Sequence, residues 1–344
     1  MEGKIILEEH FTTEQNNKFW DAKGEEDRNG QCYSRDVASR LLDPKRALAE
    51  MDRAGIDHCI LSLTSPGVQS IVNPEQAKDV ARSSNDYVHS IVEKHPKRFS
   101  AFAAVALQDP ASAADELERS VRELGFKGAL INGYSNIGQA EQVRYLDEPP
   151  VWEFWERVAK LNVPVYLHPR EPLPSQTRSI AGYPELIGSA WGFGYETASH
   201  AVRLILSGLF DRYQNLQVIL GHLGEGLPFL LPRLQHRLDE QHDGERGGLA
   251  GRRASYYFQK HIWISTSGHF HTKALVNAIA EIGMERVMFS VDYPFEQIDA
   301  AGRWFDELSL DFETKLRVGR ENARELLLLD LEPLPASNAS THRG

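Results

Sequence analysis

The chain has 344 residues, of which 41% are hydrophobic and 25% are charged, a composition typical of a globular protein with a substantial core. Its formal net charge of −11 argues against nucleic acid or an anionic membrane as a partner. An anionic ligand therefore needs a local positive group, such as a metal ion or an arginine. The two cysteines, Cys32 and Cys59, are too few for a disulfide framework or for a metal site made of thiolates alone.

The residue pattern contains no evident targeting or membrane segment. The N-terminus leads directly into an apolar strand pattern and lacks the basic-then-apolar organisation of a signal peptide. No apolar run approaches the roughly 18–20 residues that a membrane span needs. We therefore expect a cytoplasmic protein. Residues 332–344 are rich in Pro, Ser and Asn, a composition that predicts a disordered tail.

Short apolar segments alternate with longer segments of helical period throughout residues 1–331. Eight of the apolar segments lack strict alternation, as strands buried on both faces do. These predicted strands are Lys4–Leu7, His58–Ser62, Phe99–Val105, Gly128–Ile131, Val163–Leu167, Leu216–Leu220, His261–Ser265 and Arg286–Ser290. Helices with a clear start signal are predicted at Pro74–Lys94, Pro110–Leu124, Pro149–Leu161 and Thr272–Ile282.

Eight strand-and-helix units within about 320 residues predict an α/β fold, the (β/α)₈ TIM barrel, and they match its usual size range. No linker or change in composition divides them, so residues 1–331 are predicted to form a single domain. Two long segments interrupt the repeat, residues 11–42 after the first strand and residues 133–149 after the fourth. Because the loops that follow barrel strands build active sites, both segments are predicted to be active-site insertions.

Ionisable residues stand at the C-terminal ends of four predicted strands. Glu8 and His10 end the first strand, and residues two apart face the same side, so the intervening Glu9 faces away. The residues that end the fifth, sixth and eighth strands are His168, His222 and Asp292. Each of them alone could be a hydrogen-bonded structural residue or a turn cap. Together they would be costly to bury in one barrel without a shared partner, and a metal ion would supply that partner.

Four motifs in this order resemble the amidohydrolase superfamily: Leu-Glu-Glu-His at 7–10, Tyr-Leu-His-Pro at 166–169, Leu-Gly-His-Leu-Gly-Glu at 220–225 and Phe-Ser-Val-Asp-Tyr-Pro at 289–294. The most similar branch includes aminocarboxymuconate-semialdehyde decarboxylase and, closer still, the γ-resorcylate (2,6-dihydroxybenzoate) and 2,3-dihydroxybenzoate decarboxylases. Segments 126–133 and 266–270 agree with that branch, and the resemblance spans roughly residues 2–330.

The resemblance implies one divalent metal ion, Mn²⁺, Zn²⁺ or Mg²⁺, and no organic cofactor. The metal ligands that it implies are Glu8, His10, His168 and Asp292. It also makes His222 and Glu225 a hydrogen-bonded catalytic pair near the substrate. Asn132 and Arg233 match substrate-binding positions of the family, where the arginine reaches in from a neighbouring subunit, so a homodimer or homotetramer is expected.

The expected activity is a metal-dependent, non-oxidative and reversible decarboxylation of an ortho-hydroxybenzoate, a small aromatic carboxylic acid such as 2,6- or 2,3-dihydroxybenzoate. Four protein ligands on a six-coordinate ion leave two positions, which a carboxylate oxygen and the adjacent phenolic oxygen can fill. The ring carbon must be protonated before CO₂ leaves, and Asp292 is the expected acid, with His222 and Glu225 holding or relaying the proton. Trp191 and Phe193 are candidate walls for the ring, with ordinary packing as the alternative.

Two other functions are compatible with the same fold. A hydrolase of the superfamily would use metal-activated water on a lactone or an amide. Glu8 stands where many such hydrolases have a histidine, and no lysine ends the fourth or fifth predicted strand, so decarboxylation is favoured. A non-catalytic barrel that binds aromatics would lack at least one metal ligand. The sequence leaves open which hydroxybenzoate is used, which metal is bound and whether the oligomer is a dimer or a tetramer.

Overall fold

The computed structural model describes residues 1–19, 23–139, 141–241, 250–332 and 334, and a barrel of parallel strands forms its centre. All eight predicted strands are present in these ranges, with bounds that differ by a few residues. The strands are β1 (Lys4–Phe11), β2 (Ile56–Leu63), β3 (Phe99–Ala101), β4 (Ala129–Asn132), β5 (Val165–His168), β6 (Val218–Leu220), β7 (Ile262–Ser265) and β8 (Val287–Met288).

The strands pair in parallel with their neighbours in chain order. β1, β2 and β3 form one ladder, and β4 to β8 form a second ladder in the order β8-β7-β6-β5-β4. An isolated parallel bridge between Ala103 and Ala129 joins the two ladders on one side. The architecture is the (β/α)₈ barrel that the alternation of apolar and helical segments predicts.

The join between β8 and β1 has no regular ladder within the described ranges and depends on individual hydrogen bonds. The amide of His10 donates to the carbonyl oxygen of Tyr293 at 2.7 Å. The hydroxyl oxygen of Ser290 accepts from the amides of Leu7 at 2.9 Å and Glu8 at 2.8 Å. We call this join the seam, and it lies directly beside the residues that end the first and last strands.

A β-bulge in β1 decides which of its side chains face the barrel interior. The register of β1 against β2 shifts between Ile6 and Glu9. Leu7, the first of the two residues inside the shift, belongs to the apolar cluster that fills the barrel, together with residues of five other strands. The bulge lets the next residue, Glu8, also face inward, and His10 then follows on the same side. Glu9 faces away from the interior, as the sequence predicts.

Most of the helices cover the outside of the barrel, where their apolar faces meet the outward faces of the strands in a second, larger cluster. The helices in the described ranges are α1 (Lys23–Asn29), α2 (Gln31–Leu41), α3 (Ala47–Arg53), α4 (Pro74–Lys94), α5 (Pro110–Arg122), α6 (Trp152–Leu161), α7 (Gly192–Leu206), α8 (Leu209–Arg212), α9 (Leu227–Asp239), α10 (Ala254–His261), α11 (Thr272–Ile282), α12 (Ile298–Glu307), α13 (Phe312–Leu316) and α14 (Asn322–Leu326). One further helical turn, His222–Glu225, follows β6.

The helix-start signals in the sequence are accurate. α4 and α11 have the predicted bounds, α5 ends two residues early, and α6 is preceded by the 3₁₀ turn Pro149–Val151. Asn73 caps α4, its side-chain oxygen accepting from the amide of Gln76 at 3.1 Å, and the proline that follows needs no hydrogen bond in the first turn. The start signals therefore give the N-termini of α4, α5 and α11 to the residue.

The insertion after β1 contains α1 and α2, and the insertion after β4 contains a short antiparallel pair, Ser135–Asn136 with Val143–Arg144. Most of the predicted tail, residues 333 and 335–344, lies outside the described residues, and the single domain over residues 1–331 stays a prediction. Within the described ranges, no helix combines the length and the apolar character that crossing a membrane requires.

His58 is a buried histidine near the start of β2, at the end of the barrel opposite to the C-terminal ends of the strands. Its Nδ1 lies 3.0 Å from the carbonyl oxygen of Lys97, and its Nε2 lies 2.9 Å from the hydroxyl of Ser100. Burial lowers the pKa of His58 to about 4. The unfolded chain therefore takes up this proton at a higher pH than the folded protein does, and acid favours unfolding through this residue.

We expect His58 to cost the wild-type protein roughly 2 kcal/mol of unfolding free energy between pH 7.5 and pH 5, since only the unfolded chain gains the proton over that range. His58→Gln keeps a polar side chain that does not titrate, and it should remove this part of the pH dependence. Urea unfolding of both proteins at the two pH values measures the difference. Equal losses in the two proteins would contradict the prediction.

Candidate metal centre

Four ionisable side chains converge at the C-terminal end of the barrel strands. Glu8 and His10 lie on β1, His168 is the last residue of β5, and Asp292 follows β8. One nitrogen or oxygen atom from each lies within 4.8 Å of the others. Nε2 of His10 is 3.2 Å from Oδ1 of Asp292, and Nε2 of His168 is 3.3 Å from Oε1 of Glu8. The structure thus brings together the four residues that the sequence predicts as ligands.

The donor atoms at the centre of this cluster fit a divalent cation. Oε1 of Glu8, Nε2 of His10 and Oδ1 of Asp292 are buried and have no hydrogen-bond partner among the described residues. Such atoms are costly to leave unpaired, and a metal ion would satisfy all three. The two carboxylates would also balance a charge of +2. The donor set of two oxygens and two nitrogens suits Mn²⁺ or Zn²⁺.

Hydrogen bonds to the outer ring nitrogens turn both histidines toward the centre. Nδ1 of His168 lies 3.0 Å from the carbonyl oxygen of Pro169, which can only accept, so this nitrogen carries the proton. Nδ1 of His10 lies 3.1 Å from the hydroxyl of Ser62, whose own proton goes to the carbonyl oxygen of Glu9. Each Nε2 is therefore left with its lone pair for a metal ion.

Three hydroxyl groups hold the other oxygen of Glu8. The hydroxyls of Tyr166 and Ser267 donate to Oε2 of Glu8 in short hydrogen bonds, and the hydroxyl of Ser265 donates to it at 3.1 Å. Gly221 packs against the same carboxylate, where a Cβ atom would lie 2.5 Å from Oε2. We call Tyr166, Ser265 and Ser267 the hydroxyl cradle. It fixes Oε2 and leaves Oε1 to face the cluster.

His222 and Glu225 form the predicted pair next to the cluster. Nδ1 of His222 is 2.8 Å from Oε1 of Glu225, and its Nε2 is 3.5 Å from Oδ2 of Asp292 and 3.8 Å from Oε1 of Glu8. His222, Glu225 and Asp292 have φ values of 51°, 54° and 80°, in the left-handed region that is sparsely populated by residues other than glycine. Strained backbone of this kind is concentrated at functional sites.

The electrostatics of the site raise the pKa of His222. Burial alone would lower the pKa of His222, but the carboxylates of Glu225, Glu8 and Asp292 raise it well above the usual range. Burial alone would raise the pKa of Asp292, but the neighbouring imidazoles of His10 and His222 lower it. Burial alone would also raise the pKa of Glu8, but His222 and His168 lower it. The carboxylates around His222 therefore favour the protonated form of its imidazole.

A cavity of about 340 Å³ opens over the cluster, which is within the usual size range of small-molecule sites. His168, His222 and Asp292 form part of its wall. The insertion after β1 supplies another part through Gly24, Glu25, Arg28, Asn29 and Tyr33. The insertion therefore lies beside the four proposed ligands, and its role in an active site stays a prediction.

The insertion is tied to the barrel by polar contacts on two sides. Nη2 of Arg28 lies 2.6 Å from Oε1 of Glu25 and 2.7 Å from Oε1 of Glu171, which follows β5. The hydroxyl of Tyr33 donates to the carbonyl oxygen of Phe295 at 3.0 Å. These contacts hold the insertion over the mouth of the barrel.

The predicted substrate-binding residues occupy different places. Phe193 lines the cavity, whereas Trp191 is 61% exposed and is not among its lining residues. Asn132 is buried at the end of β4, and its side-chain oxygen has no partner among the described residues. Arg233 is exposed on α9 and does not line the cavity of its own chain. The roles of these four residues stay predictions.

Several residues at the site were missed by the sequence reasoning. Arg170 is buried in the cavity wall, where its guanidinium lies 3.9 Å above the ring of Tyr134 and has no carboxylate partner within the described ranges. The cradle residues Tyr166 and Ser265 were also missed. Tyr166 stands two residues before His168, so the strand period that pairs Glu8 with His10 places it inside the barrel too. That signal was present in the sequence.

The sequence matches the amidohydrolase family over residues 10–329. The chain belongs to the amidohydrolase family. A gamma-resorcylate decarboxylase of Polaromonas sp. is 45% identical over 332 residues, which cover 96% of this chain and 100% of that protein. The resemblance inferred from the motifs is confirmed.

Solved structures agree. A crystal structure of 2,6-dihydroxybenzoate decarboxylase complexed with 2,6-dihydroxybenzoate has a TM-score of 0.91 at 44% identity, covering 96% of this chain and 100% of that one. A dihydroxybenzoic acid decarboxylase from Polaromonas sp., with bound manganese and the inhibitor 2-nitroresorcinol, has a TM-score of 0.89 at 44% identity, covering 96% and 98%.

We expect Tyr166→Phe to weaken Mn²⁺ binding roughly 10- to 100-fold, because it removes one of the three donors that orient Glu8. Tyr257→Phe is the matched control: that buried tyrosine lies on α10, away from the cluster, and donates to Oδ2 of Asp211 on α8 at 2.6 Å. Titration of free Mn²⁺ by electron paramagnetic resonance measures both affinities. Equal affinities for Tyr166→Phe and the control would show that the hydroxyl cradle does not support the metal ligand.

Proposed function

We propose that this protein catalyses the non-oxidative decarboxylation of an ortho-hydroxybenzoate, with 2,6-dihydroxybenzoate as the leading substrate and a divalent metal ion as cofactor. The observation that carries the proposal is the set of three buried donor atoms, on Glu8, His10 and Asp292, that have no partner among the described residues and lie beside a cavity of about 340 Å³. The similarity to gamma-resorcylate and 2,6-dihydroxybenzoate decarboxylases supports 2,6-dihydroxybenzoate as the substrate. All four proposed ligands are present, which argues against a non-catalytic barrel.

In this proposal Glu8, His10, His168 and Asp292 hold the metal ion. When bound, the metal would neutralise the two carboxylates and attract the carboxylate and phenolate oxygens of the substrate. Arg170, the buried guanidinium in the cavity wall, adds a second positive group for an anionic ligand. Phe193 and Phe295 line the same cavity and provide apolar surface for the ring.

The chain's own acids and bases supply the proton. His222 holds it at the start, because neighbouring carboxylates raise the pKa of this imidazole. Nε2 of His222 lies 3.5 Å from Oδ2 of Asp292, so the proton can pass to Asp292 and from there to the carboxyl-bearing ring carbon. The carbon–carbon bond to the carboxyl group then breaks, its electron pair restores the aromatic ring, and CO₂ leaves. Glu225 keeps His222 oriented throughout.

The oligomer and the location of the protein are further parts of the proposal. Arg233 on α9 is exposed, and Phe229 and Leu230 on the same helix are 76% and 48% exposed. An apolar, arginine-bearing helix face is suited to contact with a second copy of the chain, so we propose a homo-oligomer in which Arg233 reaches the neighbouring site. Cys32 and Cys59 are both free thiols, as is usual in the cytoplasm, and we propose that location for the protein.

The proposed activity is tested by incubating Mn²⁺-loaded protein with 2,6-dihydroxybenzoate, 2,3-dihydroxybenzoate and salicylate. We expect CO₂ release and a change in ultraviolet absorption with at least one of them, because each offers a carboxylate beside a phenolic oxygen. 3,5-Dihydroxybenzoate, which has no ortho hydroxyl, is the control and should not react. A panel of lactones and amides runs in parallel. Hydrolysis in that panel, with no CO₂ from any hydroxybenzoate, would replace the proposal with a hydrolase.

The shared use of Arg233 is tested by mixing two inactive variants. Arg233→Ala and Asp292→Asn should each lose turnover in the homo-oligomer. In a mixed pair purified through two different tags, one of the two sites has its own Asp292 and the partner's Arg233, so about half of the wild-type kcat should return. No recovery in a mixed pair that assembles normally would mean that Arg233 does not act across the subunit boundary.

A further inference from the structure

Glu9 is a buried carboxylate at the seam that the proposed mechanism does not use. It is 1% exposed and points away from the barrel interior. Its Oε1 accepts from the hydroxyl of Ser290 at 2.7 Å and from the amide of Val291 at 3.1 Å. Its Oε2 accepts from the amide of Tyr293 at 2.8 Å. The two amides belong to the residues immediately before and after Asp292, so the carboxylate spans the backbone of that residue.

The backbone that Glu9 spans has a conformation that needs support. Asp292 has a φ of 80°, which side chains with a Cβ atom rarely adopt. The carbonyl groups on either side are held as well: that of Val291 accepts from the amide of Gly268 at 3.0 Å, and that of Tyr293 accepts from the amide of His10 at 2.7 Å. The carboxylate of Glu9 completes this arrangement on the amide side.

Glu9 also connects the two segments that carry the proposed ligands. Ser290, which donates to Glu9, accepts from the amides of Leu7 and Glu8 in the bulge of β1. One chain of hydrogen bonds therefore runs from the bulge through Ser290 and Glu9 to the residues that flank Asp292. Within the described ranges Glu9 forms no ion pair with a lysine or arginine. A buried carboxylate whose partners are backbone amides and a hydroxyl acts by fixing those groups in place.

We propose that Glu9 is a positioning residue that holds Asp292 in its left-handed conformation and thereby aims its carboxylate at His10 and His222. The inference rests on the proposed function for turnover but not for metal binding. Glutamine in place of Glu9 puts an NH₂ donor where one oxygen now accepts, so at least one of the flanking amides loses its partner. Asp292 is then free to leave the conformation that the cluster requires.

The test compares Glu9→Gln with Glu116→Gln, a control in α5 whose carboxylate is 12% exposed and bonded to Arg119 at 2.7 Å. We expect Glu9→Gln to weaken Mn²⁺ binding roughly 10- to 100-fold and to lower kcat at saturating Mn²⁺ by a similar factor. Glu116→Gln should leave both unchanged even if its melting temperature falls. Wild-type Mn²⁺ affinity and kcat in Glu9→Gln would overturn the proposal.

A double variant separates positioning from general destabilisation. If Glu9 acts through Asp292, then adding Glu9→Gln to Asp292→Asn should weaken Mn²⁺ binding no further. An additive loss would overturn the proposal. Ser290→Ala enters the same cycle if Glu9→Gln does not fold, since it removes one partner of Glu9 and keeps the carboxylate. If wild type binds Mn²⁺ but releases no CO₂ from any hydroxybenzoate, the proposed function fails, and the Mn²⁺ measurements still decide the role of Glu9.

Discussion

The site depends on the way the barrel closes between β8 and β1. A regular ladder there would bond the two strands edge to edge, but β1 carries a bulge, and its free amides turn to the hydroxyl of Ser290. The bulge allows an apolar residue, Leu7, and an acidic residue, Glu8, to face the same interior in succession. On β1, Leu7 is thus the last residue of the barrel core, and the next residue, Glu8, is the first of the polar site. Without this irregularity, either the core or the proposed metal centre would lose a side chain.

This arrangement buries several carboxylates, and different neighbouring groups stabilise the charge of each one. One oxygen of Glu8 receives three hydroxyl donors, and the other is left for a cation. Glu225 and His222 neutralise one another at 2.8 Å. Among the described residues no lysine or arginine pairs with Glu9. Burial raises its pKa to about 8, and the Ser290 hydroxyl and the two backbone amides that donate to it favour its charged form. The carboxylate charges that remain over the cluster are those that a divalent ion would balance.

Much of the fold can be predicted from the sequence because each strand and helix has a pattern of its own. Strands buried on both faces are continuous apolar runs, and helices such as α4 begin with an asparagine cap and a proline, so both are recognisable one segment at a time. The proposed ligands are equally recognisable, since each ends a strand. Glu9 and the bulge are different. The two-residue period of a strand says that Glu9 faces away from the site, which is correct, but it gives no indication that the loop after β8 lies there to meet it.

That difference has a physical origin. A ligand must point into the site, and its direction is a property of its own strand, whereas a supporting residue is defined by contact between segments about 280 residues apart, such as Glu9 and Ser290. The cavity wall is divided in the same way. His168 comes from a barrel strand and Asp292 from the segment that directly follows one, but Arg28 and Tyr33 come from an insertion whose path depends on bonds to Glu171 and Phe295. The residues that a barrel strand directs into the site can therefore be predicted from one segment of the sequence. Substrate choice, which the insertion helps to shape, depends on contacts between segments and becomes visible only in three dimensions.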